Sequence, residues 1–152
     1  MTELETSREQ AADVSCAKDR VERLANALEA LPQVDLQTMH VLSGGMYART
    51  IFIPAGVALV GATHKTDHIN ICMGDISVTT DEGVKRLNGY HVMQTKAGHK
   101  RAGFAHSPTV WTTVCKTDLT DLAEIESELV QEPEKLQTRK GLKGEITCLL
   151  QQ

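Results

Sequence analysis

"GATHKTDHINICMGDISVTTDEGVK", residues 61–85, decides how this chain folds. Ile76 and Val78 alternate with Asp75, Ser77 and Thr79, the two-residue period of a half-buried strand. The following "TTDEGVK" predicts a hairpin turn in which Gly83 supplies a positive φ. In "HINICM", residues 68–73, one face carries His68, Asn70 and Cys72, while Asp67, Ile69, Ile71 and Met73 share the other. A polar interior would turn His68 and Asn70 inward and pack Ile69 and Ile71 outside. The alternative register faces Asp67 inward, and the sequence leaves that choice open.

The same character extends over residues 36–116. Further short strands are expected at "MYARTIFI", "VALVG", "VKRL", "YHVMQT", "KRAGFA" and "TVWTTVC". They are punctuated by Gly44-Gly45, Pro54-Ala-Gly56, Gly61, Gly74, Asn88-Gly89 and Ala97-Gly98. Many short strands with no helix between them predict a mainly β fold, an antiparallel sandwich or small barrel. Residues 1–35 read as a helix ended by Pro32. Val14, Val21 and Leu28 form one seven-residue series, and Ala17, Leu24 and Leu31 form a second. This a/d seam predicts self-association into a dimer or higher oligomer, against the simpler reading of an amphipathic helix lying on its own domain. Over 117–131, Asp118 or Thr120 is expected to cap a helix that buries Leu119, Leu122, Ile125 and Leu129 and stops at Pro133. Residues 132–152 read as a weakly ordered tail.

Composition narrows the function classes. The 152 residues suit one domain, and with aromatics at 3% the core must be aliphatic. A formal net charge of −4 argues against general nucleic-acid binding. No apolar run is long enough for a membrane span, and the polar, acidic "MTELETSREQ" is unlike a secretory leader. The scattered Cys16, Cys72, Cys115 and Cys148 form no C-x-x-C pair, so reduced thiols in a cytoplasm are expected. Nucleotide-binding glycine motifs and a G-x-S-x-G elbow are both missing from the sequence.

The middle of the chain, "FIPAGVALVGATHKTDHINICMGDISVTTDEGVKRLNGYHVMQTKAGHKRAGFAH", resembles a cupin domain. A Pro-Ala-Gly entry, a histidine loop, an apolar strand running into Gly-Asp, a glycine hairpin and a second Gly-bearing motif follow in the family's order. "HKTDHINIC" and "GHKRAGFAHSPTVWTTV" are also similar to small cupin-like proteins encoded by tailed phages. The resemblance covers residues 46–116 and implies a jelly-roll barrel with flanking N- and C-terminal helices. It further implies an accessory protein of the host cytoplasm or the virion.

The motifs depart from the family pattern. His64 stands alone where His-x-His is usual, and Arg101 occupies the place of the second motif's histidine. The resemblance would bring His64, His68 and His106 to one barrel mouth, with Asp67 a possible fourth ligand, as a site for a divalent metal ion. That arrangement would serve a metal-dependent isomerase or dioxygenase. A second candidate is "TKAGHKRAG", residues 95–103, where Lys96, His99, Lys100 and Arg101 with inward Asn70 could hold a small anionic ligand. The preferred reading is an oligomeric protein that binds a small polar or anionic molecule or a protein partner, with enzymatic activity left open. A purely structural virion component would instead require a barrel filled with apolar side chains. His40 and His91 are expected to be structural, and Trp111 is expected to pack the last strand.

Overall fold

The computed structural model describes residues 3–136 and 147–148, with side chains from Cys16 to Leu136. The elements run α1 (Glu3–Glu29), β1 (Thr38–Ser43), β2 (Met46–Ile53), β3 (Ala58–Val60), β4 (His68–Thr80), β5 (Gly83–Thr95), β6 (Ala102–Ala105), β7 (Thr109–Lys116), α2 (Leu122–Leu129) and β8 (Thr147–Cys148). The fold is mainly β, with a curled antiparallel sheet flanked by two helices, as expected. Its path is β3-β6-β4-β7-β2-β1-β8, with β5 on the other edge of β4. Among the described residues the path stays open between β3 and β8, so the sheet forms a half-barrel. Most of the expected tail lies outside the described residues; β8 pairs in parallel with β1.

The organising element is the β4–β5 hairpin. Its thirteen-residue strands pair without interruption from His68↔Thr95 to Thr80↔Gly83. Asp81 and Glu82 form the turn, and Gly83 has φ +113. The sequence had suggested four short strands here. They join in pairs because Gly74 sits opposite Gly89, so the chain passes through both positions without side chains to break the pairing.

Gly74 also solves a packing problem. The other edge of β4 pairs with β7 at residues 69–73 and with β6 at residues 76–78. The β6–β7 connection tucks in between, where His106 N–H donates to Asp75 O at 2.8 Å. A Cβ on Gly74 would lie 2.7 Å from the Thr109 Cα, and φ is +149, a region L residues avoid.

Alternation then sorts the side chains. Ile51, Ile53, Cys72, Ile76, Val78, Leu87 and Ala105 pack inside as the main core. A second cluster of Tyr47, Cys115, Ile125, Leu129 and Val130 fixes α2 across one end. The α2 cap is Asp121, which accepts from Glu124 N–H at 3.0 Å; neither Asp118 nor Thr120 serves. Asp121 stands three residues before Glu124, the separation at which a short side chain reaches an orphan amide of the first turn.

The heptad seam divides. Val21 and Ala25 are buried and Leu28 is half-buried, and α1 contacts β3 and β6. Leu24 and Leu31 stay exposed, as does Ala17, while the Val14 side chain lies outside the described residues. This half of the helix therefore spends its i, i+4, i+7 face on its own domain.

Candidate functional site: a polar cavity inside the half-barrel

The inward positions of six strands, β2 to β7, do not fill the interior. They enclose a cavity of about 500 Å³, closed on one side by the end of α1 and the segment after it. That volume lies within the range of small-molecule sites. Its walls are aliphatic at Ile51, Ile53, Leu59, Ile76 and Val78, with a polar belt along the sheet.

Asn70 is the hub of the belt. The β4 alternation buries it, and its amide donates to Thr95 Oγ1 at 2.7 Å. Its carbonyl accepts from Trp111 Nε1 at 3.2 Å and Thr113 Oγ1 at 2.9 Å. Trp111 therefore does more than pack: its indole N–H fixes Asn70 and its ring lines the cavity. Arg101 enters from the connection before β6, where Nη1 donates to Thr79 O at 3.2 Å and Nη2 to Thr95 Oγ1 at 3.1 Å. Both acceptors are neutral, so its charge is not offset by either. Its Nε is buried without a hydrogen-bond partner among the described residues.

Arg49 was not singled out from the sequence. It faces inward on β2 with Tyr47, Ile51 and Ile53, and its Nε is likewise buried and unpartnered among the described residues. Burial pushes the guanidinium pKa down, opposed by the fields of Tyr47 and the buried Glu126 of α2. Nearby, His40 Nδ1 and the Tyr47 hydroxyl are 2.7 Å apart. His91 Nε2 lies 2.9 Å from Asn88 O on the hairpin.

Burial sets the register of this strand. His68 faces in; Asp67 is exposed and accepts from Lys96 Nζ at 3.0 Å and Ala97 N–H at 2.9 Å. His64 and His68 come together, with ring centroids 4.2 Å apart. The His64 loop is held by the chain after α2: Lys65 N–H donates to Leu129 O, and Gln131 N–H donates to Thr63 O. Burial, then the neighbouring His68 and Arg49, lower the His64 pKa to about 4. Burial lowers His68 as well. Cys115 Sγ lies 3.8 Å from His64 Nδ1, but burial raises the thiol to about 11. A neutral thiol beside a neutral imidazole is not a thiolate nucleophile.

The three-histidine arrangement is not assembled. His106 Nε2 lies 2.7 Å from Ser77 Oγ, and its ring meets Phe104 edge-on. Ser77 is an odd-numbered β4 position, on the outer face, whereas His68 is on the inner one. Among the described residues no group of three His, Cys, Asp or Glu side chains converges as a metal set. Two imidazoles without a third converging ligand do not fit the donor requirement of a protein-held divalent ion.

The basic cluster separates too. Lys96 pairs with Asp67, His99 lies 3.4 Å from Asp81, and Lys100 pairs with Glu22 of α1 at 3.0 Å. Alternate residues around a turn point apart, so of the four only Arg101 and Lys100 reach the cavity lining. The chemistry the site offers is thus two inward guanidinium groups, an ordered amide–hydroxyl network and two neutral imidazoles.

The class these features define is an open β half-barrel whose interior cavity has aliphatic walls and a polar belt. Solved structures with a similar fold include a cupin superfamily protein from Desulfitobacterium hafniense (14% identity, TM-score 0.47), sharing 58% of this chain and 83% of that one. Another is KdgF from Halomonas sp., at 13% identity and TM-score 0.48, with 57% and 84% covered. A third is the Cupin_2 domain of an XRE family transcriptional regulator from Enterobacter cloacae, at 13% identity and TM-score 0.39, with 46% and 79% covered. No protein-family description and no curated protein sequence matches the chain. Among the described residues no helix is long and apolar enough to cross a membrane.

Proposed function

We propose that this protein binds a small anionic molecule, a carboxylate or phosphate, inside the half-barrel. The carrying observation is Arg101: a guanidinium at the cavity wall whose observed acceptors are neutral and whose Nε is buried without a partner among the described residues. The guanidinium charge at the lining, met by neutral acceptors alone, is what an anion in the cavity would offset through charge-assisted hydrogen bonds. Arg49 brings a second guanidinium to the lining, and Asn70, Thr95 and Thr113 fix the polar belt. The hollow interior, with a polar belt on aliphatic walls, favours binding over a purely structural role. The phage-type accessory assignment rests on the resemblance of residues 46–116 and is part of the proposal.

A thermal-shift panel of short carboxylates, inorganic phosphate and sugar phosphates tests the reading. At least one compound should raise the melting temperature of wild type, and Arg101→Lys should weaken that compound's binding by about tenfold or more, because lysine keeps the charge but lacks the planar fork. Equal binding by the two proteins would mean a diffuse field rather than a direct contact.

A further inference from the structure

The outer face of the sheet carries an apolar surface that the cavity does not use. On β4 it presents Ile69, Ile71 and Met73, and beside them on β5 stand Tyr90 and Val92. Met73, Tyr90 and Val92 are each more than half exposed, at 56%, 65% and 58%. The register carries the surface across the half-buried Val110, Thr112 and Val114 of β7 to Ala48 and the exposed Phe52 of β2, with Thr50 buried between them. Every residue named in this patch is uncharged. Charge returns at its edges: the Asp75–Arg86 ion pair at one end and Lys116 at the other. An apolar centre rich in aromatic and Met side chains inside a polar rim is the anatomy of an interface core.

We propose that this face is the contact between two copies of the chain, packed sheet to sheet about a two-fold axis. A patch without charge offers nothing for a charged partner to recognise, but it complements itself, as an isologous contact requires. Its size fits. Four strands at about 4.8 Å spacing, each about six residues long over the patch at about 3.3 Å rise with alternate residues facing out, span close to 400 Å² in plan. Side-chain relief raises the accessible area toward about 600 Å² per copy, the lower edge of stable interfaces and at the top of what a monomer ordinarily exposes. The contact uses neither the exposed Leu24 and Leu31 of α1 nor the cavity, and it leaves both free.

The test is the mass of the full chain by light scattering, from about 1 to 200 μM, a range that spans dimers of this interface size. Wild type should show twice the chain mass at the upper end. Val92→Glu and Ile69→Lys, both at exposed positions, should each weaken dimerisation by about 100-fold or more, whereas Leu24→Glu should leave it unchanged. Hydroxyl-radical footprinting of wild type needs no variant: Met73 and Tyr90 should become protected as concentration rises. A monomeric wild type at the highest concentration overturns the proposal, whatever else covers the face. So does a dimer that survives both sheet substitutions, or one abolished only by Leu24→Glu. Absence of concentration-dependent protection at Met73 and Tyr90 would overturn it equally.

Discussion

Asn70→Ala is the perturbation that most directly probes how the cavity wall is held. The side chain makes three hydrogen bonds, to Thr95, Trp111 and Thr113, at 2.7, 3.2 and 2.9 Å. Each such bond is worth about 1 kcal/mol net, and more where a donor is left dry. The Trp111 indole N–H and the Thr113 hydroxyl would lose their common acceptor. Because the cavity is large enough for water to enter, some of that loss is recovered, so the expected cost is about 2–3 kcal/mol. For a domain of this length that corresponds to a fall in melting temperature of roughly 5–10 °C. Urea unfolding followed by circular dichroism measures the free energy, and Trp111 fluorescence reports the wall itself. A loss below about 0.5 kcal/mol, the size of an ordinary surface substitution, would refute the claim that Asn70 organises the interior.

Gly74→Ala should be among the most damaging single changes in the hairpin. Its Cβ would lie 2.7 Å from the Thr109 Cα with φ at +149, so a loss of several kcal/mol or failure to fold is expected. Wild-type-like chemical denaturation of that variant would contradict the packing described. Acid should weaken the fold through His64, whose folded pKa of about 4 lies below the unfolded value of 6.5. The unfolded chain then binds more protons between those values, so stability is complete above about pH 6.5 and falls as pH drops toward 4, by up to roughly 3 kcal/mol. His40 and His68, also lowered by burial, add slopes of the same sign. Urea titrations at stepped pH should show a shallower dependence in His64→Gln; identical slopes would contradict the burial assigned to this ring.

The strand alternation made much of this legible. His68, Asn70 and Cys72 share the interior because a two-residue period allows no other sorting once Ile69, Ile71 and Met73 are placed outside. Arg49 was equally visible: in "MYARTIFI" it has the parity of Tyr47, Ile51 and Ile53, a signal outweighed by the histidines further on. What the sequence hid was non-local. The separation of Lys96, Lys100 and Arg101 depends on Asp67 and Glu22 accepting the two lysines from 29 and 78 residues away. The clamp of α2's end on the His64 loop joins segments about as distant, and no local pattern encodes it. The heptad series was ambiguous because valine, alanine and leucine at helical spacing serve a domain surface as readily as a partner helix; Val21 packs on its own domain, and Leu24 and Leu31 stay exposed.

The central claim is that Arg101 receives an anion within the half-barrel, and calorimetric titration in the presence of a chelator tests it most directly. The strongest anion from the thermal-shift panel should bind wild type with one-to-one stoichiometry per chain, and Arg101→Met should lose affinity by about 100-fold, the size of a charge-assisted contact removed. Equal affinity in the two proteins, or binding that vanishes with chelator and returns with a divalent metal, would contradict the account.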